Sequence, residues 1–232
     1  MHRRGGALWQ VKNSESEKVT VDNIKTFLFA GHDTTASALS WALYLISTHP
    51  KVEAKLLLEF ANNGLSAGDN SALTYEVLNQ MPYLAAVVKE VLRLYPSAGF
   101  TRTVAKGRRV GVLGGYTLPE GVEIFVFPNT IQRDERNWPN ALQFDPERWI
   151  GLDPSTSKGL AYLPFSLGPR NCVGMNLARM EIYTVLVLLL LRYNFTYTDP
   201  DEPQVLVYLS ITPNRMMMKA SRRHATETTN ES

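Results

Sequence analysis

Ten residues, Phe165-Ser166-Leu167-Gly168-Pro169-Arg170-Asn171-Cys172-Val173-Gly174, carry the densest chemistry in the chain. Cys172 stands just ahead of a long apolar run, so its sulfur is expected at a helix N-terminus. There the helix dipole and free backbone N–H groups favour the thiolate, as nucleophile or as metal ligand. Gly168 permits a turn at positive φ, which lets the loop fold sharply beneath the sulfur. Gly174 would let a flat ligand approach the backbone closely. Arg170 offers a forked cation suited to a carboxylate, and Phe165 a ring for packing on something planar. A lone cysteine is more commonly a buried, inert core residue. The spacing around this one points instead to a thiolate-ligated macrocycle with acidic substituents.

Two further clusters could do chemistry. Ala30-Gly31-His32-Asp33-Thr34-Thr35 places an acid beside an alcohol. In mid-helix, a glycine and two hydroxyl residues can widen a turn and leave a carbonyl free for water or ligand; taken alone, they read as a local kink. Glu90 and Arg93 stand at i and i+3 and face each other on a helix, although such pairs are usually solvated. His2, His32, His49 and His224 have no paired spacing and read as ordinary histidines.

The elements that must position these residues alternate between helical and strand periodicity. Thr20 is expected to cap a long helix over Val21 to about Ser47, interrupted at Gly31, with Ile24, Phe27, Leu28, Ala38, Leu39, Ala42, Leu43 and Ile46 on its apolar side. His49-Pro50 ends it. Further helices are expected over 52–60, from a Thr74 cap through Asn79, and over 83–95 between Pro82 and Pro96. The period then shifts to two over 101–104, 109–113 and 122–127, which reads as a small sheet. Residues 129–170 are loop-rich, with Pro139, Pro146, Pro154, Pro164 and Pro169, and so long a loop needs something to organise it. The last helix is expected over 172–191, and a terminal hairpin over 205–219.

Composition narrows the function classes. The chain has 232 residues, enough for a full hydrophobic core, and 44% of them are hydrophobic. Its 24 Lys and Arg against 22 Asp and Glu leave a net charge of +2, too small to point to nucleic acid. One cysteine can form neither an intrachain disulfide nor a multi-cysteine zinc site. No signal peptide is readable at the N-terminus, and the run Val185 to Leu191 is far short of the ~20 residues of a spanning helix, so no membrane anchor is expected in this chain.

The pattern Phe-x-x-Gly-x-Arg-x-Cys-x-Gly over 165–174 resembles the haem-binding signature of the cytochrome P450 enzymes. The resemblance implies that Cys172 is the axial thiolate ligand of the haem iron, with Phe165, Gly168, Arg170 and Gly174 forming the cofactor-binding loop. Other segments match in the same order. Ala30 to Thr35 is similar to the oxygen-activation motif, which makes Asp33 and Thr34 the expected catalytic proton-delivery pair. Glu90 and Arg93 resemble the helical ExxR pair. Pro146-Glu147-Arg148-Trp149 resembles the loop motif whose arginine, here Arg148, completes a buried Glu-Arg-Arg network; that network would pin the long loop. Arg102 matches the place of a second haem-propionate arginine, with an exposed strand arginine an equally good reading.

The implied fold is mainly α with small β-sheets, the C-terminal half of the cytochrome P450 fold. Its expected divisions are an irregular segment 1–19, a P450 domain 20–219 and a polar tail 220–232. The implied function is a haem b-dependent monooxygenase that inserts one oxygen atom of O₂ into an apolar organic molecule, with electrons from NADPH through a cytochrome P450 reductase. Phe29, Ala30, Thr35 and the segment 97–100 would line a mainly apolar cavity. The motif wording resembles eukaryotic microsomal members, fungal ones especially, whose full-length forms sit in the endoplasmic reticulum membrane, and secondary metabolism is a fitting role. The alternative is a non-catalytic remnant or half-protein that needs a complementary N-terminal chain to close the haem pocket. Unburied faces of the long and last helices would favour such a partner.

Overall fold

A computed structural model describes residues 17–107, 110–151, 161–208 and 210–223. The readings for residues 1–16, Arg109, Pro154 and 224–232 lie outside these. Helix α1, Glu17–Ser47, runs 31 residues without a proline, about 46 Å at 1.5 Å per residue. It starts four residues before Val21, with Glu17 in the first turn where a carboxylate complements the dipole, so Thr20 lies inside the helix and the irregular segment does not reach residue 19. Gly31 does not interrupt it. One glycine costs only about 1 kcal/mol of helix propensity. The hydroxyls of Thr26, Thr34 and Ser40 donate to the carbonyls of Asp22, Ala30 and Ala36, four residues back, at 2.8, 2.6 and 2.9 Å. The turn at Ala30–Thr35 therefore stays α-helical, and the Ala30 carbonyl is occupied by Thr34.

Helices α2 (Pro50–Asn62), α3 (Tyr75–Asn79) and α4 (Pro82–Leu94) follow. Thr74 caps α3 as expected, its hydroxyl accepting from Val77 N–H. The start of α4 is capped from another helix: the Glu59 carboxylate of α2 accepts from the backbone N–H groups of Tyr83 and Leu84, both at 2.7 Å. Two orphan donors are satisfied in this way, and a negative charge meets the positive end of α4. After α4 come β1 (Phe100–Thr103), β2 (Val110–Leu113), β3 (Tyr116–Leu118), β4 (Glu123–Val126) and the short α5 (Pro128–Gln132). A 3₁₀ turn spans Pro146–Trp149.

Helix α6, Met175–Arg192, is followed by β5 (Tyr193–Tyr197), β6 (Gln204–Val207), β7 (Ile211–Asn214) and β8 (Met218–Arg222). The strands pair antiparallel as β1 with β4, β2 with β3, β5 with β8 and β6 with β7. The expected single hairpin over 205–219 is thus two pairings: β6 and β7 form the hairpin, while β8 crosses to β5, Tyr193 opposite Arg222. Residues 220–222 belong to β8 rather than to a polar tail. Arg223 follows it, donating to the carbonyls of Leu190 and Tyr193 and to the Glu53 carboxylate.

The core lies where α1, α2, α4 and α6 meet, among Trp41, Leu45, Leu56, Phe60, Leu84, Val87, Leu186 and Leu190, all buried. Trp41 stacks face to face on Tyr95 at 3.7 Å between ring centres. Only the C-terminal half of α1 takes part. Its N-terminal half exposes Val19, Val21, Ile24, Phe27, Leu28 and Phe29, the last two by 69% and 52%. No helix among the described residues is long and apolar enough to cross a membrane.

Candidate functional site

The Glu90 carboxylate organises the loop that leads to Cys172. Glu90 and Arg93 are fully buried, side by side on α4. Arg93 Nε and Nη2 each donate to the carboxylate at 2.8 Å. Arg148 Nε adds a third bond at 2.8 Å, Trp149 Nε1 a fourth at 2.8 Å, and Asp145 N–H a fifth at 3.0 Å. A buried carboxylate is tolerable only when its lone pairs are filled in this way. The far side of Arg93 reaches the loop carbonyls of Gln132, Ala141 and Gln143 at 2.6, 2.7 and 3.1 Å, and Arg148 Nη1 donates to Pro139 O at 3.1 Å. The expected Glu-Arg-Arg cluster is therefore assembled, and it holds residues 132–149 by their backbone.

Gln132 continues the clamp, and nothing in its sequence position announced it. Fully buried at the end of α5, its amide nitrogen donates to the carbonyls of Leu92 and Arg93, at 3.0 and 2.9 Å. Its amide oxygen accepts from Leu163 N–H at 2.6 Å. One side chain thereby satisfies two carbonyls at the end of α4 and fixes the chain two residues before Phe165. A lone glutamine among polar loop residues has no periodic signature; only the fold reveals its burial.

The cysteine loop follows directly. Phe165 is half-buried against the main core rather than presenting a free ring. Its carbonyl accepts from Cys172 N–H at 2.9 Å, closing the loop on itself. Gly168 sits at φ +82° and Ser166 at φ +63°, so the sharp turn expected of Gly168 is present. Helix α6 starts at Met175 with Gly174 as its N-cap, and Cys172 lies in the turn just before it, its carbonyl accepting from Met175 N–H at 3.4 Å. Its thiol is exposed. A side chain at Gly174 would begin 3.9 Å from Cys172 Sγ, and glycine leaves that space open.

Two arginines flank the loop. Arg170 is exposed and makes no ion pair among the described residues. Arg102, on β1, lies over the Phe100 ring and donates from Nη2 to Ser166 Oγ at 2.8 Å and Leu167 O at 3.3 Å. It is therefore tied to the cysteine loop itself and is not a free strand arginine.

Asp33 and Thr34 lie apart from the Glu90 cluster, where α1 meets the β6–β7 hairpin. Asp33 accepts a hydrogen bond from Ser210 Oγ. Thr34 donates to Ala30 O, and its own carbonyl accepts from Ser97 Oγ at 3.0 Å. Next to them the buried Thr35 hydroxyl has no partner among the described residues. A cavity of about 410 Å³ opens nearby between β1, β4 and the hairpin, lined by Ala98, Gly99, Phe100, Phe125, Val207 and Ile211 among others. Of the expected segment 97–100, Ala98, Gly99 and Phe100 line it and Ser97 does not. Phe29, Ala30 and Thr35 do not line it: Phe29 and Ala30 stand on the exposed half of α1, and Thr35 is buried.

The described residues thus form a helical core with small antiparallel sheets, in which a buried Glu-Arg-Arg cluster presents an exposed cysteine loop at the head of α6. The family model "Cytochrome P450" matches residues 8–220, and the chain belongs to that family. It is 36% identical over 227 residues to cytochrome P450 4V2 of Homo sapiens, covering 95% of this chain and 42% of that protein. It is 35% identical over 209 residues to cytochrome P450 4A10 of Mus musculus, covering 90% and 38%. With cytochrome P450 3A13 of Mus musculus the identity is 37% over 204 residues, covering 86% and 39%. The chain therefore spans about two-fifths of the length of these relatives.

Proposed function

We propose that this chain carries the haem-thiolate site of a monooxygenase, in which Cys172 would supply the thiolate that holds a haem b iron. The observation behind this reading is an exposed thiol, pinned by its own backbone N–H to Phe165 at the head of α6, with the space beside it kept open by Gly174. Among the described residues no group of three or more His, Cys, Asp or Glu side chains could hold a metal ion. A lone thiolate suits a metal that brings its other ligands with it, as a macrocycle does. The cations of Arg170 and Arg102 at the loop suit the acidic substituents of that macrocycle.

Bound haem would supply the redox-active iron that activates O₂ for insertion into an apolar molecule. The chain's own residues supply the setting. Cys172 is held for coordination at the head of α6 by its N–H bond to Phe165 and by the turn at Ser166 and Gly168. Thr34 Oγ1 donates its proton to Ala30 O, which leaves its lone pairs to accept a hydrogen bond from a proton donor. Asp33, one residue away, keeps one carboxylate oxygen beyond the bond from Ser210, and that oxygen can take a proton from water and pass it on. The apolar cavity lined by Phe100, Phe125, Val207 and Ile211 suits an apolar organic substrate. Electrons come from NADPH through a reductase docking on the cysteine side. A secondary-metabolite role rests on the sequence resemblance alone.

Purified chain supplemented with haem, reduced and exposed to carbon monoxide, tests the assignment. The expected result is the red-shifted absorption band of thiolate ligation, lost in Cys172→Ala. Retention of that band in Cys172→Ala, or its absence from the unaltered chain, overturns it. A second reading is favoured by the exposed apolar residues of α1 and by Val173 and Leu177, 70% and 65% exposed, beside the cysteine loop. In that reading a complementary chain covers these faces before haem is retained. Haem binding that appears only on co-expression with the preceding half of a relative would establish it.

A further inference from the structure

The β6–β7 hairpin is docked on α1 at two points that differ in kind. Ser37 Oγ and Trp41 Nε1 both donate to the Ile211 carbonyl, at 2.5 and 3.3 Å, and Ile211 N–H donates to Ser97 O at 2.7 Å. The first two bonds are buried and hold the hairpin to the helix through its backbone, and the third ties it to the segment after α4. One residue earlier, Ser210 is buried, and its hydroxyl donates to the Asp33 carboxylate. The same hairpin lines the apolar cavity with Val207, Tyr208 and Ile211. One short segment therefore touches both the substrate-sized space and the acid of α1.

We propose that Ser210 is a positioning residue for Asp33: its hydroxyl fixes one carboxylate oxygen at the hairpin and so sets the direction in which the other oxygen can pass a proton. Docking does not depend on Ser210, because Ser37, Trp41 and Ser97 secure the hairpin without it. Its hydroxyl acts on the carboxylate. A freed Asp33 side chain would spread over several rotamers, and the fixed placement of its carboxylate would be lost. Val207, Tyr208 and Ile211 of the same hairpin line the cavity, so the segment that holds the acid also borders that space. The inference rests on the proposed role of Asp33 in proton delivery and extends it to a residue outside the helix.

Two measurements test it. In the chain labelled with ¹³C-carboxyl aspartate, the Asp33 resonance is identified by its disappearance in Asp33→Asn. Ser210→Ala is expected to shift that resonance, and Ser210→Thr, which keeps a hydroxyl, to return it. An unmoved resonance in Ser210→Ala overturns the proposal without reference to haem. In haem-loaded protein, Ser210→Ala is expected to lower product formed per NADPH by about fivefold, the equivalent of one net hydrogen bond, with substrate affinity unchanged and Ser210→Thr restoring the ratio. Unchanged coupling in Ser210→Ala, where Asp33→Asn does reduce it, removes Ser210 while Asp33 keeps its role. Unchanged coupling in Asp33→Asn defeats the underlying reading instead.

Discussion

Arg148 Nε meets Glu90 Oε1 at 2.8 Å across 58 residues of chain. The bond closes a loop that has little regular structure of its own. Glu90 was already matched by Arg93 one helical turn away, and Arg148 adds the long-range partner. Replacing Glu90 by Gln leaves two arginines short of an anion in a buried site. A loss of ~3–5 kcal/mol of unfolding free energy is expected from denaturant titration. Arg148→Ala should cost less, because Arg148 retains 10% exposure. Equal stability of Glu90→Gln and the unaltered chain would show that the cluster does not hold the loop.

Gln132 offers a sharper test of the same clamp. Gln132→Leu keeps much of the volume but strands the carbonyls of Leu92 and Arg93 and the N–H of Leu163. A loss of about 2–3 kcal/mol is expected, since each buried unsatisfied group costs roughly 1–3 kcal/mol and some relax toward water. Hydrogen exchange should locate the change at 161–165 and at the end of α4. A uniform change across the chain would contradict the local role.

Arg102 ties β1 to the cysteine loop, so Arg102→Ala should loosen Ser166 and Leu167 more than it destabilises the fold. Global unfolding is expected to change by about 1 kcal/mol or less, because the pair is partly exposed. Amide exchange at 166–172 should rise severalfold, the response of a segment losing its local tether. Haem retention should fall with it. Unaltered exchange in that segment would leave Arg102 without a part in shaping the loop.

Tyr44 provides the alkaline signature. Burial, followed by the charges of Glu202, Tyr95 and Tyr197, pushes its phenol up from 10.0 to about 12. A raised folded value means that the native state keeps a proton which the unfolded chain releases. Stability from this group is therefore complete below pH 10 and lost as pH rises toward 12. Tyr44→Phe should flatten the fall of melting temperature over that window. An identical alkaline profile in the variant would exclude Tyr44 as a contributor.

Local pattern carried much of the fold into view. Pro82, with nine buried side chains on one helix behind it, marks α4, and Thr74 caps α3 by a contact three residues away. Differences arise where a longer-range contact outweighs a local signal. The start of α4 is capped by Glu59, 24 residues distant, and β8 leaves the expected hairpin because β5 offers a longer partner. The expected break at Gly31 fails because one glycine costs too little to stop a 31-residue helix whose C-terminal half is packed into the core.

The sequence by itself determined the family, the cysteine loop and the identity of the Glu90, Arg93 and Arg148 cluster, because residue types at fixed spacings carry those. It also placed Asp33 beside Thr34. Tertiary structure alone decided what each of them touches. Gln132 became the clamp on Leu163, Arg102 the tether on Ser166, and Ser210 the partner of Asp33. Each of these is a single polar side chain with no periodicity. Its partner lies 31, 64 or 177 residues away, and hydrogen bonds of such span exist only once helices and strands have packed.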